Sequence, residues 1–297
     1  MVFFMNADEK IYSRYGGRDA SSPDHRQSLA GLHYAMESVL RLHGDGDSPF
    51  VPRLEGPPRL IREIAGSRGG RCMHCHQVQE TIVADLRKNG KWDREMIWRY
   101  PLPENLGFDL EIDRGNVVRA VKPSSPAAVI GMKPGDVLEQ IAGMPVHSFG
   151  DAQFALEHSP ASGSVDVAWR REDQRMSDRL ALQPGWRKTD ITWRPSMHRM
   201  MPSARLYGDD LKAEEKKTLG LSAKQLAFRQ KEFVPIQSKS AGIKAGDIIL
   251  GFDDKPLEMN VDEFLKYVQI NYLVDDHVTI NVLRAKDRLR LPMTLSR

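Results

Sequence analysis

The run Cys72-Met73-His74-Cys75-His76 contains both cysteines of this 297-residue chain, spaced C-x-x-C-H. At that spacing two thiols can add to the two vinyl groups of one haem while the adjacent imidazole, here His76, takes an axial position on the iron. The product is a covalent haem c held by Cys72 and Cys75. A C-x-x-C pair also serves as a dithiol/disulfide couple, which would leave no cofactor and a Cys72–Cys75 disulfide. Zinc fits least well, because a closed site wants four ligands and only Cys72, Cys75 and one of His74 or His76 are local. For the haem reading the distal candidate is Met96, 20 residues beyond His76. His74 is too close in sequence to reach the opposite face easily, and His33 or His43 would have to come from the neighbouring domain.

The elements around this run have to hold it. Leu60, Ile61 and Ile64 suggest one short helix, and residues 76–88, with Val78, Ile82, Val83 and Leu86, suggest a second, so the motif falls at a helix start. Small cytochromes present their cofactor in this way. Upstream, the pattern predicts a strand over residues 2–5, a turn at Asn6-Ala7-Asp8-Glu9, a strand over 10–15 and a break at Gly16-Gly17. A helix follows from near Asp24, with Leu29, Leu32, Met36, Val39 and Leu40 on one stripe. Residues 44–58 are rich in Gly, Pro and Asp and read as a linker.

A net charge of +3, from 43 basic and 40 acidic residues, is too small to point to nucleic acid or to an anionic membrane. No stretch approaches the roughly 18 to 20 apolar residues of a membrane span. The first ten residues lack the basic and apolar regions of a signal peptide. Because c-type haem is attached outside the cytoplasm, the haem reading expects a periplasmic or envelope protein, and the two observations conflict. Val2-Phe3-Phe4-Met5 opens in mid-strand, which makes the chain look truncated.

Downstream the sequence repeats with a period of about 110 residues. The run from Ser125 through Gly131, Gly135 and Asp136 to Leu138 returns as Ser240-Ala241-Gly242-Ile243-Lys244-Ala245-Gly246-Asp247-Ile248-Ile249. Each copy continues into a strand, a turn (at Ala142-Gly143-Met144-Pro145 and Asp253-Asp254-Lys255-Pro256) and a helix holding Phe154 or Phe264. Two strands close each copy, over 165–169 and 179–182, then over 278–283 and 289–295. The paired glycines stand where a helix breaks and a chain turns, and Asp136 and Asp247 are expected to cap the turn that follows. Trp186 and Trp193 are expected to pack the two modules together. An N-capped short helix is expected at residues 209–215.

The A-G-x-x-x-G-D core in this element order resembles PDZ domains of the bacterial HtrA-like type. That resemblance implies recognition of a protein or peptide C-terminus, added as a strand to a sheet edge with its carboxylate in a backbone nest. Asn105-Leu106-Gly107-Phe108 resembles the family's carboxylate-binding loop, with Phe108, Leu110 and Ile112 along the strand and pocket. In the second copy Leu219-Gly220-Leu221 and Leu226-Ala227-Phe228 offer a poorer match. HtrA relatives are serine proteases, but no G-x-S-x-G or G-N-S-G-G run occurs, and His147, His158, His198 and His277 stand alone.

The opening strand, strand, helix segment resembles the C-terminal half of a thioredoxin-like domain, behind which Cys72 and Cys75 cannot be the thioredoxin dithiol. Together with the Trp-x-Tyr-Pro-Leu-Pro-Glu-Asn entry ending at Asn105, these features resemble a bacterial family of thioredoxin/PDZ proteins, some with selenocysteine. The family implies a redox-linked envelope protein. It also implies that the reading frame continues upstream through a selenocysteine codon.

The expected fold class is therefore α+β and multidomain. A partial thioredoxin-like segment covers 1–45, a linker and helical Cys/His segment 46–99, a PDZ-like β-sandwich or barrel 100–184, a connector 185–216 and a second PDZ-like domain 217–297. The expected function is chain-end binding with electron transfer through haem c and a redox partner, and no protease or complete thioredoxin active site is legible. The alternatives are a thiol-disulfide or selenol oxidoreductase lacking its catalytic half, and a scaffold without redox chemistry.

Overall fold

The computed structural model describes residues 1–46, 60, 63, 75–194, 200–253 and 256–297, and their contacts divide into two units, Met1–Trp193 and Arg194–Arg297. No helix among the described residues is long and apolar enough to cross a membrane.

The first unit opens on an antiparallel hairpin of β1 (Val2–Met5) and β2 (Ile11–Tyr15). Asn6 makes its turn by accepting the Asp8 and Lys10 amides on Oδ1, at 3.0 and 2.9 Å. The helix α1 (Leu29–Gly44) starts later than Asp24. Residues 24–27 form a turn instead, closed by the Gln27 amide on the Asp24 carbonyl, and Ser28 caps the helix by accepting the Gly31 amide at 2.9 Å. Then α2 (Cys75–Lys88) and two short 3-10 turns, Arg94–Ile97 and Pro103–Leu106, lead to β3 (Phe108–Leu110).

The remaining elements of this unit are β4 (Val118–Val121), α3 (Pro126–Val129), β5 (Val137–Ile141), β6 (Met144–Pro145), α4 (Phe149–Glu157), β7 (Gly163–Arg171) and β8 (Gln174–Leu182). Strands β3 and β4 pair, and a second sheet runs β6-β5-β7-β8. A bridge between Val117 and Val137, with the Val118 amide on the Asp136 carbonyl at 2.8 Å, joins the two sheets into one surface. Alternation along the strands turns Phe108, Leu110, Leu138, Trp169 and Leu180 inward to one core.

The second unit has β9 (Gly208–Asp210), α5 (Ala213–Thr218), β10 (Phe228–Gln230), α6 (Ile236–Ser240), β11 (Ile248–Phe252), α7 (Val261–Asn271), β12 (His277–Arg284) and β13 (Asp287–Thr294). Its sheet runs β13-β12-β11-β10-β9. Phe264 of α7 packs edge-on against Phe252 at 5.0 Å, and a capping box between Asn260 and Glu263 starts that helix.

The sequence repeat is a structural one. The strand after the Gly-Asp turn carries the same irregularity in both units, a register shift between Leu138 and Gln140 and between Ile249 and Gly251. Asp136 and Asp247 do not cap the following turn. Each accepts the amide three residues before it, from Lys133 and Lys244, both at 2.8 Å. Each also takes two hydrogen bonds from an arginine at the end of a distant strand, Arg171 on Asp136 and Arg284 on Asp247, all at 2.8 Å. The same arginines donate to the carbonyls of Gly131 and Gly242 at 2.7 Å. This clamp ties a glycine-ended helix, a turn and a strand end together, and its arginines lie too far along the chain for local pattern to reveal it.

Trp186 and Trp193 both belong to the first unit. Trp186 is buried in its core and donates Nε1 to the Pro160 carbonyl, while Trp193 lies under the Arg18 guanidinium at 4.7 Å.

Candidate functional site

Strand β3 and helix α4 flank a groove in the first unit, and residues 105–108 close one end. Pro103 starts the 3-10 turn and Gly107 ends it at φ +88°, a conformation open to glycine at little cost. A Cβ there would also overlap the Ser125 side chain. Leu106, Phe108 and Leu110 are each 1% exposed and belong to the core, whereas Ile112 is half-buried. What β3 offers a ligand is its backbone, since β4 is its only strand neighbour among the described residues. The loop retains a buried donor without a partner, Asn105 Nδ2.

This groove already contains part of the chain. Arg14 stacks on Phe154 of α4 at 3.5 Å, and its amide reaches the buried Asp151 carboxylate, which also accepts from Ser13 at 2.6 Å. Burial pushes the Asp151 carboxyl above its usual range, against the opposing pull of Ser13, His147 and Arg14. Further on, Arg26 donates to Asp19 at 2.9 Å, to Asp109 of β3 at 2.8 Å and to Glu104 of the loop, and lies 4.7 Å over the Phe149 ring of α4. It is 8% exposed.

Three carboxylates around one guanidinium respond differently. Burial pushes Asp19 and Asp109 up, but their bonds to Arg26, joined by Ser21 and Arg119 respectively, hold both below the usual carboxylate value. Their contribution to stability is present above the ordinary carboxylate pKa and is lost as pH falls through the lowered values. Burial dominates at Glu104 and raises it.

The second unit places its counterpart elsewhere than Leu219–Leu221. In the first unit the Lys122 amide bonds the Gly107 carbonyl where β3 meets β4, and Gly135 and Val118 exchange with the turn at Asp136. In the second, Gly246 and Asp247 exchange with Gln230 in the same way, and Gln230 pairs with Gly208 as Val118 pairs with Leu110. So β10 corresponds to β4 and β9 to β3. The loop is residues 203–206, inside the segment expected to be a connector; Arg205, at φ +51°, stands where Gly107 does, and Leu206, 1% exposed, where Phe108 does. Leu226 and Phe228 are core. The helix expected at 209–215 begins at Ala213, because Asp209 and Asp210 are used in β9. This loop too keeps a buried unpaired donor atom, Arg205 Nε.

The C-x-x-C-H run lies at the limit of the described residues, with Cys72, Met73 and His74 outside them and α2 starting at Cys75. Met96 sits in the Arg94–Ile97 turn, 38% exposed.

Comparison with known proteins agrees with this geometry. A PDZ domain family model matches residues 117–171, from the residue before β4 to the clamp arginine Arg171. The periplasmic serine endoprotease DegP of Salmonella typhimurium is 24% identical over 65% of this chain and 37% of its own length. DegP of Escherichia coli K12 is 23% identical over the same shares. The magnetosome formation protease MamE of Magnetospirillum gryphiswaldense is 36% identical over 23% of this chain and 9% of that protein. A solved HtrA-type protease with a decapeptide aligns at 12% identity over 61% of this chain and 54% of that one, with a TM-score of 0.31. The chain spans little more than a third of the length of the DegP relatives it matches. Residues 117–171, which hold the glycine-ended helix and the Asp136–Arg171 clamp, thus form a PDZ domain, similar to those of the HtrA/DegP proteins.

Proposed function

We propose that this chain recognises an extended segment or chain end of another protein through its PDZ groove. The ligand main chain would run along the β3 edge with its end in the loop of residues 105–108, and α4 would face its side chains. The observation that carries this reading is the PDZ match over residues 117–171, which includes α4, beside a loop that ends at Gly107 and keeps a buried unpaired donor at Asn105. The repeated clamp, bulge and ladder support reading the second unit as a second PDZ copy, with β9 and α7 flanking its groove. The periplasmic relatives support a periplasmic or envelope location and a protease-related scaffold.

Selection of displayed C-terminal peptides against the full chain tests this. Selected peptides should lose about 10-fold or more in affinity when their carboxylate is amidated. Failure to select any peptide, both with the wild-type chain and with its Gly150→Leu form, would overturn the reading.

A second reading rests on α2 starting at Cys75, which puts the C-x-x-C-H run at a helix start. Cys72 and Cys75 would hold a haem c, with His76 on the iron and Met96 as the second ligand. A bound haem would supply one-electron transfer with a redox partner. The competing assignment is a Cys72–Cys75 thiol-disulfide couple. After expression with a signal peptide in a host that matures c-type haem, the mass should rise by one haem and the pyridine haemochrome band should appear. An unmodified mass without a Soret band eliminates haem.

A further inference from the structure

The groove of the first unit is filled. Gly17 lies so close to the Phe149 ring and Gln153 of α4 that a Cβ on it would overlap the ring. The Gly150 Cα of α4 faces the carbonyls of Arg14 and Gly16, and a Cβ there would stand 2.8 Å from each. Tyr15 both donates to the Ser28 carbonyl at 2.6 Å and accepts the Ser28 amide at 2.8 Å, closing residues 16–28 into a loop. Ser28 also donates to Asp113, beyond the end of β3, at 2.6 Å. A cavity of about 10 Å³ remains among Tyr15, Arg26, Leu110, Ile112 and Phe149, too small for a peptide side chain.

The groove's own chemistry selects the occupant. Glu104 of the 3-10 turn and Asp109 of β3 point at one place, where an acidic ligand side chain would be repelled and a guanidinium makes several charge-assisted bonds while stacking on Phe149. We propose that the groove between β3 and α4 is a guanidinium-selecting seat that this chain fills with its own residues 16–28, so that a partner segment enters by displacing Arg26 and supplying an arginine in its place. The proposal rests on the peptide-recognition reading and names the ligand class for this groove. A tethered occupant holds an effective concentration that a free ligand has to exceed, so the wild-type groove binds weakly in trans.

The test uses a labelled peptide of residues 18–28, which lacks the Arg14 and Gly16 carbonyls that face Gly150, and the full-length chain in three forms: wild type, Arg26→Gln and Gly150→Leu. Gly150→Leu dislodges the segment while leaving Glu104 and Asp109 untouched, and leucine favours the α4 helix over glycine. Both variants should bind the peptide at least about 10-fold more tightly than wild type. Their amides over residues 16–28 should exchange faster. The peptide carrying Gln at position 26 should bind about 10-fold more weakly than the parent. Wild-type affinity in both variants, or unchanged exchange in both, overturns the intramolecular seat. Equal binding of the Arg and Gln peptides overturns the selection for a cation. Should the variants capture this peptide while selection of displayed C-termini fails, the seat stands and chain-end recognition falls.

Discussion

Asp247→Ala should destabilise residues 194–297 by about 2–4 kcal/mol while leaving residues 1–193 as they were, and Asp136→Ala should do the reverse. Each carboxylate is almost wholly buried, accepts one backbone amide and two guanidinium bonds, and anchors an arginine that also holds a glycine carbonyl. Removal therefore leaves a part-buried backbone amide without its acceptor and frees two segments at once. Arg171 and Arg284 are about a third exposed and regain some hydration, which keeps the cost below that of a wholly buried pair. For a unit of about 100 residues each kcal/mol lowers the melting temperature by about 4–8 °C. Hydrogen exchange followed by unit separates the two effects. Equal loss of protection in both units from either substitution would contradict two separately clamped modules.

The clamp also shows how far the sequence carries. Its glycines and aspartates stand close together and recur, so the repeat is visible in residue order. The arginines that complete it stand 35 and 37 positions away, in strands whose pattern gives no reason to single them out. β1, β2, β5, β7, β8 and β11 to β13 were legible from their apolar patterns and α4 and α7 from the repeat, whereas Asp209 and Asp210 of β9 were expected in a helix. The later start of α1 depends on Ser28 serving as a better cap than Asp24, while Arg26 is drawn away by three carboxylates from distant segments. The second loop was misplaced for a similar reason. Leu219-Gly220-Leu221 looks like a loop sequence, but residues 211–227 are inserted between β9 and β10 and displace the counterpart upstream to residues 203–206. Loop resemblance is a matter of a few residues, whereas strand pairing decides which few residues meet the sheet edge. The filled groove was illegible for the same reason, since nothing near Arg26 in sequence announces Glu104 or Asp109.

The relocated loop makes a prediction of its own. Gly208→Val should detach β9 from β10, at a cost of about 3 kcal/mol, because the new Cβ would overlap the Phe228 ring and stand 2.5 Å from the Arg229 carbonyl oxygen. Neither neighbour can yield. Phe228 is wholly buried against Phe264, and Arg229 is held in the ladder opposite Asp209. Valine suits a strand, so the effect comes from the collision and not from propensity. At Gly220, by contrast, a Cβ meets nothing within 4 Å, and Gly220→Ala incurs only its left-handed backbone at φ +69°, about 1 kcal/mol. Hydrogen exchange at the Lys231 amide, which bonds Tyr207 where the loop meets the sheet, reads the difference directly. Gly208→Val should abolish its protection and any peptide binding by the second unit, and Gly220→Ala should preserve both. Loss of that binding in Gly220→Ala with Gly208→Val intact would return the loop to Leu219, Gly220 and Leu221 and undo the correspondence of β9 with β3.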